Sequence, residues 1–332
     1  MKFIEKYEAQ IHEDLHDWAA EHTNSHEKLV LLDINPDKYP HQKILEHTVK
    51  SHPLDPVVVD AVATQIEPRY PDFIKAVEEN PKALRIAGSI LNSKQNLIVG
   101  TDHQELVDIA LLMAYLSSSL RQKGTNLNSG LIANKMAAYL GVQLDSETVI
   151  PATDLLGMAF DEVYLTLPAS QSAKERLSVP RQLASRINKT VIEKGILMRL
   201  KTTRRLGKAM LLGAALTGTV NKELDTSKYE SLTNVEYLNP EQANATQVLG
   251  RVNTGVLGFM KNGLTMVAGT QLEPGNIKVT FSDEPLYIDN QQLLESAMHT
   301  IAEIRNEQDR SHHYVYDQYG NLPVKKAHSN EQ

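Results

Sequence analysis

The sequence predicts an α/β protein: a mixed sheet flanked by helices, preceded by a small helical N-terminal domain. Short apolar runs rich in β-branched residues, separated mostly by helical patterns, predict the sheet. They are "NLIVG" (96–100), "EVYLTL" (162–167), "AMLLGAAL" (209–216), "LTMVAGTQL" (264–272) and "IKVTF" (277–281). The texture before them predicts the helical domain. Residues 1 to 85 are charged and helical in pattern, broken at "DINPDKYPH", "SHPLDP" and "EPRYPD", and nothing there alternates as a strand does. The expected division is a helical domain over 1–85, an α/β domain over 86–308 and a polar tail over 309–332.

Two helices carry the clearest signals. In "NLIVGTDHQELVDIALLMAYL" the strand ends at Gly100, and Asp102 with Glu105 fits a capping box for the next helix. Leu106, Ile109, Met113, Leu116 and Leu120 then step by three and four, which predicts the buried stripe of that helix. The last helix is "NQQLLESAMHTIAEIRNEQ", with Leu294, Met298, Ile301 and Ile304 at helical spacing and Asp289 or Asn290 as its N-cap. Beyond Asp309 the chain is polar and is expected to be loose.

The chain of 332 residues is 41% apolar and 23% charged, the profile of a soluble globular protein with room for a core domain and a smaller one. A net charge of −7 argues against non-specific nucleic-acid binding, so no nucleic-acid partner is expected. Cysteine is absent, which excludes disulfides, thiolate metal sites and a cysteine nucleophile. No apolar run approaches the roughly 18 residues of a membrane span, and "MKFIEKYEAQ" lacks the apolar core of a signal peptide. The expected location is the cytoplasm, in solution or peripheral at a membrane.

"IHEDLHDWAAEH" raises a zinc reading and then argues against it. His12, Glu13, His16 and His22 match the spacing of a zinc-peptidase signature, with two ligands on one helical face and Glu13 as base. Bringing His22 back to the metal needs a turn made by glycine, and Ala19 stands there. A Cβ makes the left-handed turn costly, so the helix continues and carries His22 away. No metal site is expected.

His103 and Asp108 pose the other chemical question. Five residues on an ideal helix turn through about 140°, so the two side chains meet only if His103 precedes the regular helix. There the carboxylate could fix the imidazole tautomer while the other ring nitrogen takes a proton. On spacing alone, a polar residue at the helix entrance and a solvated carboxylate are the commoner arrangement. Such a pair contains no nucleophile, which would have to be a substrate hydroxyl.

"LIVGTDHQELVDIALL" resembles the first motif of the glycerol-3-phosphate and lysophosphatidate acyltransferase family, N-H-x-x-x-x-D after a strand, with Asp102 in place of the usual Asn. "GKAMLLGAALTGTVNK" resembles the family's strand and phosphate loop, F-P-E-G-T-R or, in the soluble plastid type, A-P-S-G-G-R-D-R. "NTGVLGFMKNGLTMVAGTQ" is similar to the helix and strand of its fourth motif. "IKVTFSDEPLYIDNQQLLESAMHTIAEI" is similar to its closing strand, turn and last helix. The four blocks cover most of residues 90 to 305, and the layout is closest to the soluble plastid glycerol-3-phosphate acyltransferases.

The resemblance implies an acyltransferase-like α/β fold and acyl transfer from acyl-CoA or acyl carrier protein to a hydroxyl of glycerol-3-phosphate or a related polyol phosphate. These are co-substrates; no resident cofactor is implied. It makes His103 the general base and Asp108 its partner, with backbone N–H groups at the helix entrance meeting the oxyanion. It places substrate binding at Thr217, Gly218, Thr219 and Lys222, with Lys174 and Arg176 as further cations. The loop departs from the family at Leu216, Thr217 and Val220, leaving Gly218, Thr219 and the charge of Lys222. Lysine imitates the arginine fork only as a point charge. The alternative is therefore a non-catalytic acyl-CoA or lipid-binding protein of the same fold. Finally, Lys194 to Lys208 carries six positive charges and no negative one. It is either a solvated helix face or a surface for an acidic carrier, CoA phosphates or anionic lipid.

Overall fold

The computed structural model describes residues 48–50, 56–105, 107–134, 141–143, 149–166, 188, 195–218, 222–223, 229–231, 246–250, 252–316 and 324–325. Its helices are α1 (Pro56–Ile66), α2 (Tyr70–Glu78), α3 (Pro81–Asn92), α4 (Asp108–Gln122), α5 (Ala152–Ala159), α6 (Leu197–Arg205), α7 (Thr254–Met260) and α8 (Gln291–Gln308). Seven strands form the main sheet: β1 (Thr48–Lys50), β2 (Leu97–Thr101), β3 (Leu127–Asn134), β6 (Glu162–Thr166), β7 (Ala209–Ala215), β11 (Leu264–Glu273) and β12 (Asn276–Phe281). Their order is β1-β6-β3-β7-β2-β11-β12. The five inner strands run parallel and the two outer ones are antiparallel to their neighbours, so the sheet is mixed.

Smaller sheets pair β10 (Thr246–Leu249) with β13 (His313–Tyr316) and β8 (Lys222–Glu223), β4 (Gly141–Gln143) with β5 (Val149–Pro151), and β9 (Tyr229–Ser231) with β14 (Val324–Lys325).

Helices cover both faces, which explains why the inner strands read as unbroken apolar runs. In β2, Leu97 and Val99 join the cluster under α1 to α4, while Ile98 points into the opposite cluster with Leu200, Val256, Met298 and Ile301. The five apolar runs all form strands. β3 escapes the same reading, because "LNSGLIAN" opens with the turn formers Asn128, Ser129 and Gly130. Inside the sheet Ser129 is fully buried and satisfied: its hydroxyl and backbone N–H both donate to Asp161. β1 is a second difference. The 1–85 region, expected to lack strands, contributes Thr48–Lys50 to the sheet edge beside β6.

The helices before β2 belong to the core. Val59, Val62, Tyr70, Phe73, Ala87 and Leu91 share one buried cluster with Leu97, Leu112, Met113 and Leu211. The boundary expected at residue 85 falls inside α3. Helix α4 is consequently wrapped on all sides, and every residue from Asp108 to Leu120 is buried, so the expected stripe of Ile109, Met113, Leu116 and Leu120 widens to the whole circumference. Its serines are tolerated because they find carbonyls: the Ser117 hydroxyl donates to Ala114 O at 2.9 Å.

The N-cap of α8 is Asn290, one of the two residues expected, and its Oδ1 accepts from Leu293 N at 3.0 Å. Of the tail expected to be loose, His313–Tyr316 forms β13 parallel to β10, with Tyr314 and Val315 buried, while residues 317–323 and 326–332 lie outside the described residues.

Contact between α4 and β7 is close enough to require glycine. A Cβ on Gly213 would lie 2.4 Å from Met113 Cγ, near the root of a side chain held on a buried helix. Gly213→Ala is expected to destabilise the fold by about 1–3 kcal/mol through overpacking. Urea unfolding checks it, with a lowered midpoint and an unchanged slope.

Candidate active site

After β2 the chain does not enter a helix at Asp102. The expected capping box is not formed: α4 begins only at Asp108, and Asp102 and Glu105 bond elsewhere. What shapes the intervening turn is the Asp108 carboxylate, completely buried at the first helical position. One oxygen accepts from His103 Nδ1 at 2.9 Å and from Ile109 N at 2.6 Å; the other accepts from Gln104 N at 2.7 Å and Glu105 N at 3.2 Å. An ionised carboxylate only accepts, so His103 carries its proton on Nδ1 and presents Nε2 as the basic nitrogen. Nε2 has no hydrogen-bond partner among the described residues, and the ring is about one-sixth exposed. His103 thus lies in the turn before the regular helix, the placement that brings it to Asp108.

The backbone N–H groups of Gln104, Glu105 and Ile109 are committed to Asp108, so these three of the helix-entrance donors are engaged.

Asp102 points away from His103 into the core. One oxygen accepts from both the backbone N–H and the hydroxyl of Thr270 at 3.1 Å, and the other accepts from Gln104 Nε2 at 3.1 Å. Arg305 Nε stands 3.5 Å from it. That guanidinium also donates to Thr270 O and to the Tyr314 hydroxyl and lies 4.3 Å from the Tyr314 ring centre. Burial pushes the Asp102 carboxyl up to about 6 against the attraction of Arg305, with the Asp108 charge adding to the rise. On the outer side, Arg69 from the α1–α2 connection bonds both Glu105 and Glu67, which hold its charge firmly in place. Sequence reasoning missed Arg69, Thr270, Arg305 and Tyr314 because the contacts that bring them to the site, Arg69 to Glu105 and Thr270 and Arg305 to Asp102, span distant parts of the chain.

The loop after β7 lies beside this turn. Thr101 pairs with Ala215 across parallel strands, and Leu216 N donates to Thr101 O at 3.1 Å. Thr217 is buried and Gly218 exposed. Gly218 has φ +67°, and a Cβ there would lie 2.7 Å from Asn253 Nδ2, so the turn needs glycine twice over. Asn253 N donates to Leu216 O at 2.9 Å and its side chain caps α7, locking the loop to that helix. Lys222 is placed by its backbone in β8. Thr219, Lys174 and Arg176 lie outside the described residues, as do His12, Glu13, His16 and His22.

The two loops leave the carboxyl ends of neighbouring parallel strands, where open α/β sheets hold their ligands. The basic helix sits at the other end. Leu97 pairs with Leu211, so Lys208 is level with Lys94, roughly 25 Å short of His103 along the strands. One of its charges, Arg199, pairs with the buried Glu162. Among the described residues no group of His, Asp and Glu is arranged to hold a metal, and no helix is long and apolar enough to cross a membrane. Comparison with protein-family models and with curated proteins finds no match.

Asp102 makes stability fall with rising pH. Its carboxyl titrates near 6 when folded against an ordinary 3.8. Between those values the folded state holds the proton more tightly. Its contribution is therefore complete below about pH 4 and lost by about pH 6, a change of about 3 kcal/mol. Asp102→Asn is expected to lack this slope. Urea midpoints of the two proteins across pH 4 to 7 check it, since their difference cancels the other titrating groups.

Proposed function

We propose that this chain is an O-acyltransferase. It moves a fatty acyl group from acyl-CoA or acyl carrier protein to a hydroxyl of glycerol-3-phosphate or a related acceptor. The observation that carries the reading is the His103–Asp108 contact in the turn after β2. It adds geometry to the resemblance of the surrounding blocks to glycerolipid acyltransferases.

In this reading Nε2 of His103 removes the proton of the acceptor hydroxyl as the oxygen attacks the thioester carbonyl. Asp108 keeps the imidazole oriented and stabilises the imidazolium. Collapse of the tetrahedral intermediate breaks the C–S bond, and the departing thiolate takes the proton back from His103. The ester and the free thiol are the products, no covalent enzyme intermediate forms, and a chain without cysteine suffices.

The acceptor is less closely specified than the base. The phosphate loop "LTGTVNK" contains no arginine, and lysine offers a point charge where the family uses a fork. Arg69 cannot substitute cheaply, since Glu67 and Glu105 already occupy it. A donor-binding protein without turnover is the second reading, and this missing arginine favours it.

Both readings meet in one assay. Purified protein is given acyl-CoA or acyl carrier protein with glycerol phosphate, lysophosphatidate and uncharged polyols, beside His103→Ala. The expected outcome is transfer to at least one acceptor, lowered about 10²–10⁴-fold by the substitution. Donor binding without transfer in any combination supports the second reading; transfer unaffected by the substitution removes His103 as the base.

A further inference from the structure

The amino-terminal edge of the parallel strands, opposite His103, carries an unusual surface. The turns before β2, β3, β7 and β11 converge there, and the buried side chain of Asn96 before β2 donates to Leu200 O in α6 and Asn262 O before β11 and accepts from Met210 N in β7. Lys94 precedes β2, Lys123 precedes β3, Arg204, Arg205 and Lys208 precede β7, and Lys261 precedes β11, all exposed. The nearest described carboxylates, Asp161 and Glu162, are already paired with Arg121 and Arg199. Exposed Asp283, Glu284 and Asp289 follow β12 at one end of this edge, with Asp283 bonded to Lys82. A concentration of cations has thus been gathered on one face of a chain whose net charge is −7.

Helix ends account for part of this. Lys123, Arg204, Arg205 and Lys261 close helices α4, α6 and α7, where positive charge complements the carbonyl ends. Leu206 has no such explanation. It stands between Arg205 and Gly207, is 67% exposed, and projects among the cations. Two more of the few exposed large apolar side chains, Tyr287 and Leu293, belong to the same edge. Tyr287 follows Leu286, which bridges Thr265 at the start of β11, and Leu293 lies in the first turn of α8.

We infer that this edge docks on an anionic membrane surface, with the lysines and arginines on lipid phosphates and Leu206 inserted between headgroups. Anionic headgroups attract each nearby cation, and an exposed apolar side chain flanked by those cations gains when it reaches the acyl region beneath the headgroups. A nucleic acid would satisfy the charges and leave Leu206 unused. Docked this way, the protein holds His103 on the aqueous side, roughly 25 Å from the lipid. The inference is independent of the acyl-transfer reading.

Sedimentation of the full chain with phosphatidylcholine vesicles, with and without phosphatidylglycerol, tests it. Binding is expected only to the anionic vesicles and weakens with salt. Arg204→Glu with Arg205→Glu lowers affinity at least about 5-fold for each charge. Leu206→Ser lowers it without changing the salt dependence, while Lys278→Glu, on exposed β12, leaves it nearly unchanged. His103→Ala binds as the unaltered chain does, which separates this test from the catalytic one. Equal binding to both vesicles, no binding to either, unaltered binding by Leu206→Ser, or capture by DNA or RNA without vesicles would overturn the inference.

Discussion

A single carboxylate organises the candidate site. Asp108 is the first residue of a helix buried on every side, and its two oxygens take four hydrogen bonds. Three of those donors are backbone groups in and around the turn that links strand to helix. Without an acceptor they would be stranded at the edge of a core, at a cost of about 1–3 kcal/mol each. The fourth donor is His103. The turn that satisfies the backbone therefore also orients the imidazole, and the stability of the turn and the orientation of Nε2 rest on the same group. An amide at this position would offer one accepting oxygen where two are used.

Asp102 and Arg305 extend that constraint across the sheet. A buried ion pair contributes little net stability, because desolvation offsets attraction. The rise of the Asp102 carboxyl to about 6 reflects that balance, burial outweighing Arg305. What the pair supplies is registration. Arg305 reaches Asp102 at the end of β2, the carbonyl of Thr270 on β11 and the hydroxyl of Tyr314 on β13. Tyr314 passes the contact on to Asp309, held at about 2 against burial by Ser311, Tyr314 and His312. A tail that looks polar in one dimension becomes part of the support behind His103.

The strands with continuous apolar runs were legible in the sequence because the sheet buries both faces and leaves no reason for polar alternation. The last helix was legible for the reason that helps least in α4. One side of α8 is wet and the stripe stands out, whereas α4 is enclosed and its serines hide among apolar neighbours. β3 was hidden because Ser129 is satisfied by Asp161, a partner 32 residues away. The His103–Asp108 pairing was legible as a condition, since only a histidine outside the helix could meet the aspartate. The delayed start of α4 was not, because Asp102 has the chemistry of a cap and is diverted by Thr270 and Arg305.

The two edges of the parallel sheet divide the remaining chemistry. At the carboxyl edge, loops after β2 and β7 leave adjacent strands and are fastened to each other through Leu216 and Thr101. At the amino edge, Asn96 fastens the start of β2 to α6, to β7 and to the turn before β11. The described charges of the basic segment, Arg199 to Lys208, belong to the second edge and stand well away from His103. Among the described residues near the candidate site, Arg69 is already held by two glutamates. Among the described residues, the loop that opens with Thr217, its glycine turn locked to Asn253, lies beside His103 and carries no guanidinium. Under the proposed acyl transfer, a turn without an arginine fork would choose its acceptor by shape and backbone donors more than by charge.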